Sequence, residues 1–165
     1  AKVIETNFDL KPVGLSAAMP GGPIKGLMLC FDTKYAHNKE QLRELLIKSA
    51  NGSLDQVNGT EEIQQFLKER PFTIKNIQII IYNHDKKGRE VFHPGIATAR
   101  ISSGILTYRT VDSADTFKFK EELDESYEEA LKDVKSAIQF HMETFPDVII
   151  EKNEILEAFL AEVLV

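Results

Sequence analysis

Residues 73–83 constrain the fold more than any other stretch of this chain. Ile77, Ile79 and Ile81 alternate with Gln78, Ile80 and Tyr82. That period of two belongs to a strand with one face turned to a core. The Asp85-Lys86-Lys87-Gly88 run that follows has turn chemistry, ending in a glycine that tolerates positive φ. The spacing predicts a hairpin in which residues 90–93 return antiparallel. Further strands are expected at 24–32, 96–101 and 104–111. Leu27 to Phe31 is apolar without a break, which reads as a central strand covered on both faces.

Helical signals flank these strands. Asn38 with Gln41 three residues on forms a capping box, and Leu42, Leu45, Leu46 and Ser49 share a stripe behind it. Asn51-Gly52 reads as the stop. A short helix burying Ile63, Phe66 and Leu67 is expected after Thr60. The longest helical pattern covers 121–144, where Leu123, Tyr127, Ala130, Leu131, Val134, Ile138 and His141 keep helical spacing. The acids Glu121, Glu122, Asp124, Glu125, Glu128 and Glu129 load its start, matching the helix dipole. Residues 153–165 read as a C-terminal amphipathic helix. Residues 11–23 hold Pro12, Gly14, Pro20, Gly21, Gly22 and Pro23, and are expected to be a connecting loop.

Strands in the middle with helices before and after, and no alternation of strand and helix, imply one α+β domain over residues 1–165. The expected form is an antiparallel sheet of four to six strands with helices packed on one face. A ferredoxin-like split βαβ core and a curved sheet wrapped on a long helix both fit the order. At 165 residues with 42% hydrophobic and 28% charged side chains, the chain can bury a sizeable core without disulfides or structural metals. Its net charge of −6 argues against a nucleic-acid partner. No apolar run is long enough for a membrane span. Neither the single cysteine nor the first residue, Ala1, separates a cytoplasmic chain from an exported one.

No run of residues carries a catalytic or cofactor motif, so no cofactor is expected. Cys30, mid-strand between Leu29 and Phe31, reads as a buried structural thiol. If the chain is an enzyme, its groups are Asp32, His37, His84, Asp85 and His93, mounted at strand ends. The hairpin register separates His84 from His93 by about 13 Å, too far for one metal ion. Arg100 and Arg109 lie in strands, and a strand arginine facing a sheet concavity recognises an anion. Asn51-Gly52-Ser53 and Asn58-Gly59-Thr60 are glycosylation sequons, meaningful only in a chain exported from a eukaryotic cell. The leading expectation is a non-enzymatic binding or protein-interaction domain. Its expected self-association or partner surface is Ile155, Leu156, Phe159, Leu160 and Val163; a small anionic ligand is the other expected partner. A small enzyme or small-molecule binder at the strand ends is the alternative.

Overall fold

The computed structural model describes residues 10–144, with side chains described as far as Ser136 in the last helix. Strands β1 (Leu10–Ala18), β2 (Gly26–Thr33), β3 (Ile77–Tyr82), β4 (Thr98–Ser102), β5 (Ile105–Val111) and β6 (Phe119–Ser126) form one six-stranded sheet. They lie side by side in chain order. All pairs are antiparallel except β2 with β3. Helix α1 (Lys39–Gly59) and the short α2 (Glu61–Gln64) connect that parallel pair, and α3 (Tyr127–Thr144) follows β6. The domain is thus α+β, with its helices packed on one face.

Two expectations about topology are corrected here. The connection from β2 through α1 to β3 is a βαβ unit, although the order of signals showed no such alternation. Because the two parallel strands are immediate neighbours, no strand splits them, and the ferredoxin-like arrangement is not formed.

The core lies between the sheet and the two long helices. Leu27, Leu29 and Phe31 of β2, Ile77, Ile79 and Ile81 of β3, and Ala99 and Ile101 of β4 point into it. Leu106 and Tyr108 of β5, Leu42, Leu46, Ile47, Ala50 and Val57 of α1, and Ala130 and Val134 of α3 join them. The strand residues of the other parity, Met28, Cys30, Ile80 and Arg100, are only half-buried. So β2 is covered on one face, not two, and its unbroken apolar run places Met28 and Cys30 on the open side.

Helix α1 starts where the capping box predicted. Asn38 Oδ1 accepts from Gln41 N, and Gln41 Oε1 accepts from Asn38 N, both at 2.9 Å. It does not stop at Asn51-Gly52 but runs on to Gly59. Ser49, Ser53 and Val57 continue the buried stripe, and that tertiary burial outweighs the cost of one internal glycine. In the short turn after it, Leu67 is buried but Phe66 is exposed.

Three other local expectations change. Residues 11–18, assigned to a loop, belong to β1. As an edge strand it tolerates Pro12, and a register shift between Pro12 and Gly14 accommodates Val13. Residues 90–93 do not form the return strand: beyond a single bridge of His84 with Glu90 the chain loops out. Pro94 has no N–H for a ladder, and β4 takes the place beside β3, with Arg100 rather than His93 opposite Ile80. Residues 121–126 are strand, not helix, and α3 begins at Tyr127. The β4–β5 hairpin closes through Ser103 and Gly104, both at positive φ, 52° and 76°. Glycine meets that demand freely and serine does not. Ser103→Asn is expected to raise stability by about 0.5 kcal/mol, read from its urea midpoint.

Candidate functional site

The sequence placed a group of polar residues at the strand ends, and the structure brings part of it together. Asp32 ends on β2 and His84 follows β3, so their parallel pairing puts His84 Nδ1 3.7 Å from Asp32 Oδ1. His37 is buried nearby, its ring stacked on Tyr35 at 4.4 Å and its Nδ1 2.7 Å from the Tyr35 carbonyl. The residue that organises this corner is Asn83, which sequence reasoning passed over. Its Oδ1 accepts from His37 N at 3.0 Å and Thr33 Oγ1 at 3.2 Å. Its Nδ2 donates to the carbonyls of His37 at 3.0 Å and Ile96 at 2.8 Å. Thr33 Oγ1 also accepts from His84 N at 2.7 Å. A buried amide with both ends satisfied holds loops in place.

The other two members of the candidate catalytic set lie elsewhere. Asp85 builds its turn, accepting from Lys87 N and Arg89 N, and from Arg89 Nε at 2.8 Å. The backbone hydrogen bond from Arg89 leads the effects that hold its carboxyl below the ordinary value. His93 sits beside β5, its Nδ1 3.1 Å from Thr110 Oγ1 and 3.9 Å from Glu121 Oε2. The five residues therefore do not converge. No group of three or more His, Cys, Asp or Glu among the described residues could hold a metal ion. Cys30 is half-buried, and burial pushes its thiol pKa up, away from a reactive thiolate.

The two strand arginines part company. Arg109 Nε donates to Glu122 Oε2 across the β5–β6 pair at 2.7 Å, and its guanidinium lies 4.6 Å over the Phe119 ring. It is occupied. Arg100, opposite Ile80 and Thr107, faces the open side of the sheet. Its Nε is buried and has no hydrogen-bond partner. A buried N–H of a charged group left without an acceptor costs more than a neutral one.

A cleft opens at one end of the same face, where β2 and β3 begin. Its volume is about 440 Å³, and Ser16, Lys25, Lys75, Gln78, Ser102 and Ser103 are among its lining residues. Neither lysine makes an ion pair among the described residues. Nothing in the sequence marked these groups as neighbours, because they come from four separate segments.

The acid-rich segment has a different role from the dipole-matched helix start expected of it. As strand β6, its residues alternate. Glu125 turns inward, accepting from Arg43 Nε at 2.7 Å and Arg43 Nη2 at 2.9 Å on α1, and from the Tyr108 hydroxyl at 2.6 Å. Burial alone would raise the Glu125 pKa, but the hydrogen bonds from Arg43 and Tyr108 hold it below the ordinary value. Burial, then the bond to Glu125, pushes the Tyr108 hydroxyl well up.

Both sequon asparagines are tied into the fold. Asn58 Nδ2, the atom a glycan would occupy, donates to the Phe72 carbonyl at 2.9 Å, and Asn51 Oδ1 accepts from the Tyr127 hydroxyl. No described helix is long and apolar enough to cross a membrane. Ile155, Leu156, Phe159, Leu160 and Val163 lie outside the described residues.

The class defined so far is a mixed-sheet α+β domain with one covered and one open face. Comparison with protein-family models, curated proteins and solved structures gives no match that would place it further.

Proposed function

We propose that this chain is a non-enzymatic binding domain that recognises an anionic group on the open face of its sheet, with Arg100 as the recognising side chain. The observation that carries this reading is the unpartnered, buried Nε of Arg100. A guanidinium offers a fork of donors that matches carboxylate and phosphate oxygens. Its neighbours on that face support the same role: Thr107 across one strand adds a hydroxyl, and Ile80 across the other adds apolar wall. The network around Asn83 is saturated, so its amide and the Thr33 hydroxyl are committed to holding loops and are not offered to a substrate.

Titration calorimetry with inorganic phosphate and with acetate tests the reading. The wild-type chain should bind one of them with a stoichiometry of one. Arg100→Gln should weaken that binding at least tenfold while leaving the urea midpoint unchanged or raised, because it removes an unpaired charge. Equal affinity in the variant, or no heat from either anion, would remove Arg100 as the recognising group.

A further inference from the structure

The cleft and Arg100 belong to one surface. Ser102 and Gln78 line the cleft, each two residues along its strand from Arg100 and Ile80, which pair across β3 and β4. Arg100 and Ser102 are two residues apart on one strand, so their Cα atoms are about 7 Å apart on the same face. The cleft volume of about 440 Å³ is within the range of small-molecule sites. Its polar groups are donors in the main: the ammonium groups of Lys25 and Lys75, the hydroxyls of Ser16, Ser102 and Ser103, and the Gln78 amide.

The charge of the molecule is distributed so that this end can hold an anion despite a net charge of −6. The exposed acids Glu121, Glu122 and Asp124 are on β6, and Glu128, Glu129 and Asp133 are on α3. In the sheet order, β6 is three strands beyond β3, roughly 14 Å from the start of the cleft, and two strands beyond β4, so that Asp124, opposite Thr107, lies roughly 10 Å from Arg100 in the same row. The carboxylate tied to the cleft wall is Glu69, whose Oε2 accepts from Asn76 Nδ2 at 3.3 Å. It contributes one negative charge against two lysines.

We infer that the open face takes a small organic molecule with two anionic groups, one held by Arg100 and the other by Lys25 and Lys75 in the cleft. This rests on the Arg100 reading above and adds the second subsite and the ligand class. The roughly 7 Å between Arg100 and Ser102, the cleft-lining residue two positions along the same strand, sets a lower bound on the spacing of the two groups. A chain of about six carbons spans it; two anionic groups fused together, as in pyrophosphate, do not.

The test compares inorganic phosphate, pyrophosphate and hexanediol bisphosphate by titration calorimetry on the full chain. Hexanediol bisphosphate should bind at least tenfold tighter than the other two. Replacing both cleft lysines, Lys25→Gln with Lys75→Gln, should abolish that advantage and leave the affinity for phosphate within twofold of wild type. A control with Lys86→Gln and Lys87→Gln, which removes the same charge from the exposed turn, should keep the advantage. Equal affinity of phosphate and hexanediol bisphosphate for the wild-type chain would overturn the two-subsite inference while leaving Arg100 as an anion site. So would loss of the advantage in the turn control, since the gain would then be a general field effect. If none of the three anions binds, the Arg100 reading falls and takes this inference with it.

Discussion

Asn83→Ala is expected to destabilise the domain by about 4 kcal/mol, the largest effect foreseen for a polar substitution here. The substitution leaves the amide N–H and the carbonyl of His37 and the carbonyl of Ile96 without their partner. Each buried backbone group so stranded costs about 1–3 kcal/mol. The corner cannot readily recruit water, because Asn83 is 1% exposed and His37 6%. Asn83→Asp is the sharper test. It keeps the shape and the acceptor oxygen but removes both donations and buries a charge, so it should cost at least as much as alanine. The check is urea unfolding of both variants, with hydrogen exchange at the His37 amide as the local readout. A loss below about 1 kcal/mol in both would show that the clasp contributes little.

Glu125→Gln is expected to cost about 3 kcal/mol at neutral pH, because it leaves the Arg43 guanidinium, whose side chain is 14% exposed, with only the exposed Asp133 carboxylate 3.7 Å away. The effect has a definite pH dependence. The folded Glu125 carboxyl is held below its ordinary value, so the unfolded state binds more protons in the acid range. The stability it contributes is therefore fully present above the unfolded carboxylate pKa of about 4.3 and is lost as the pH falls through the folded value. The gap between wild type and Glu125→Gln should accordingly close below about pH 4. Replacing both members, Arg43→Met with Glu125→Met, should cost less than the single change, since no charge is then stranded. Chemical unfolding of the three proteins at pH 3 and pH 7 measures all of this. A gap that stays constant between those pH values would mean Glu125 keeps the same proton occupancy on folding.

The expected helix at 121–126 shows why part of the fold was not legible. Residues 121–126 carry good helix formers, and Leu123 fits both a period of two and the helical stripe of Tyr127 and Ala130. What decides for strand is the open edge of β5: six residues there, from Ile105 to Thr110, pair with β6. Its side chains also supply Arg109 for Glu122 and Tyr108 for Glu125. One signal was present in the sequence. Ser126 and Glu129 form a capping box, with Ser126 Oγ accepting from Glu129 N at 3.2 Å and Glu129 Oε2 accepting from Ser126 N at 3.3 Å. That pattern marks Tyr127 as the first helical residue. Pro12 and Gly14 misled in the opposite sense, because breaker residues exclude a central strand but not an edge strand.

Of the site, Arg100 and Arg109 were read from the sequence as strand arginines, and only the pairing of β5 with β6 separated the occupied one from the unpartnered one. Lys25 and Lys75 carried no signal at all.

What the sequence determined by itself was local: the alternation of Ile77, Ile79 and Ile81, the cap at Asn38, the turn at Asp85, and an α+β class with helices on one face. These follow from periodicity and from hydrogen bonds spanning four residues or fewer. The tertiary structure alone decided the parallel neighbour of β2, the strand nature of residues 121–126, the clasp at Asn83 and the cleft beside Arg100. Each of these depends on contacts between segments far apart in the chain, where the pairing of one backbone edge or one buried charge outweighs local preference by several kcal/mol.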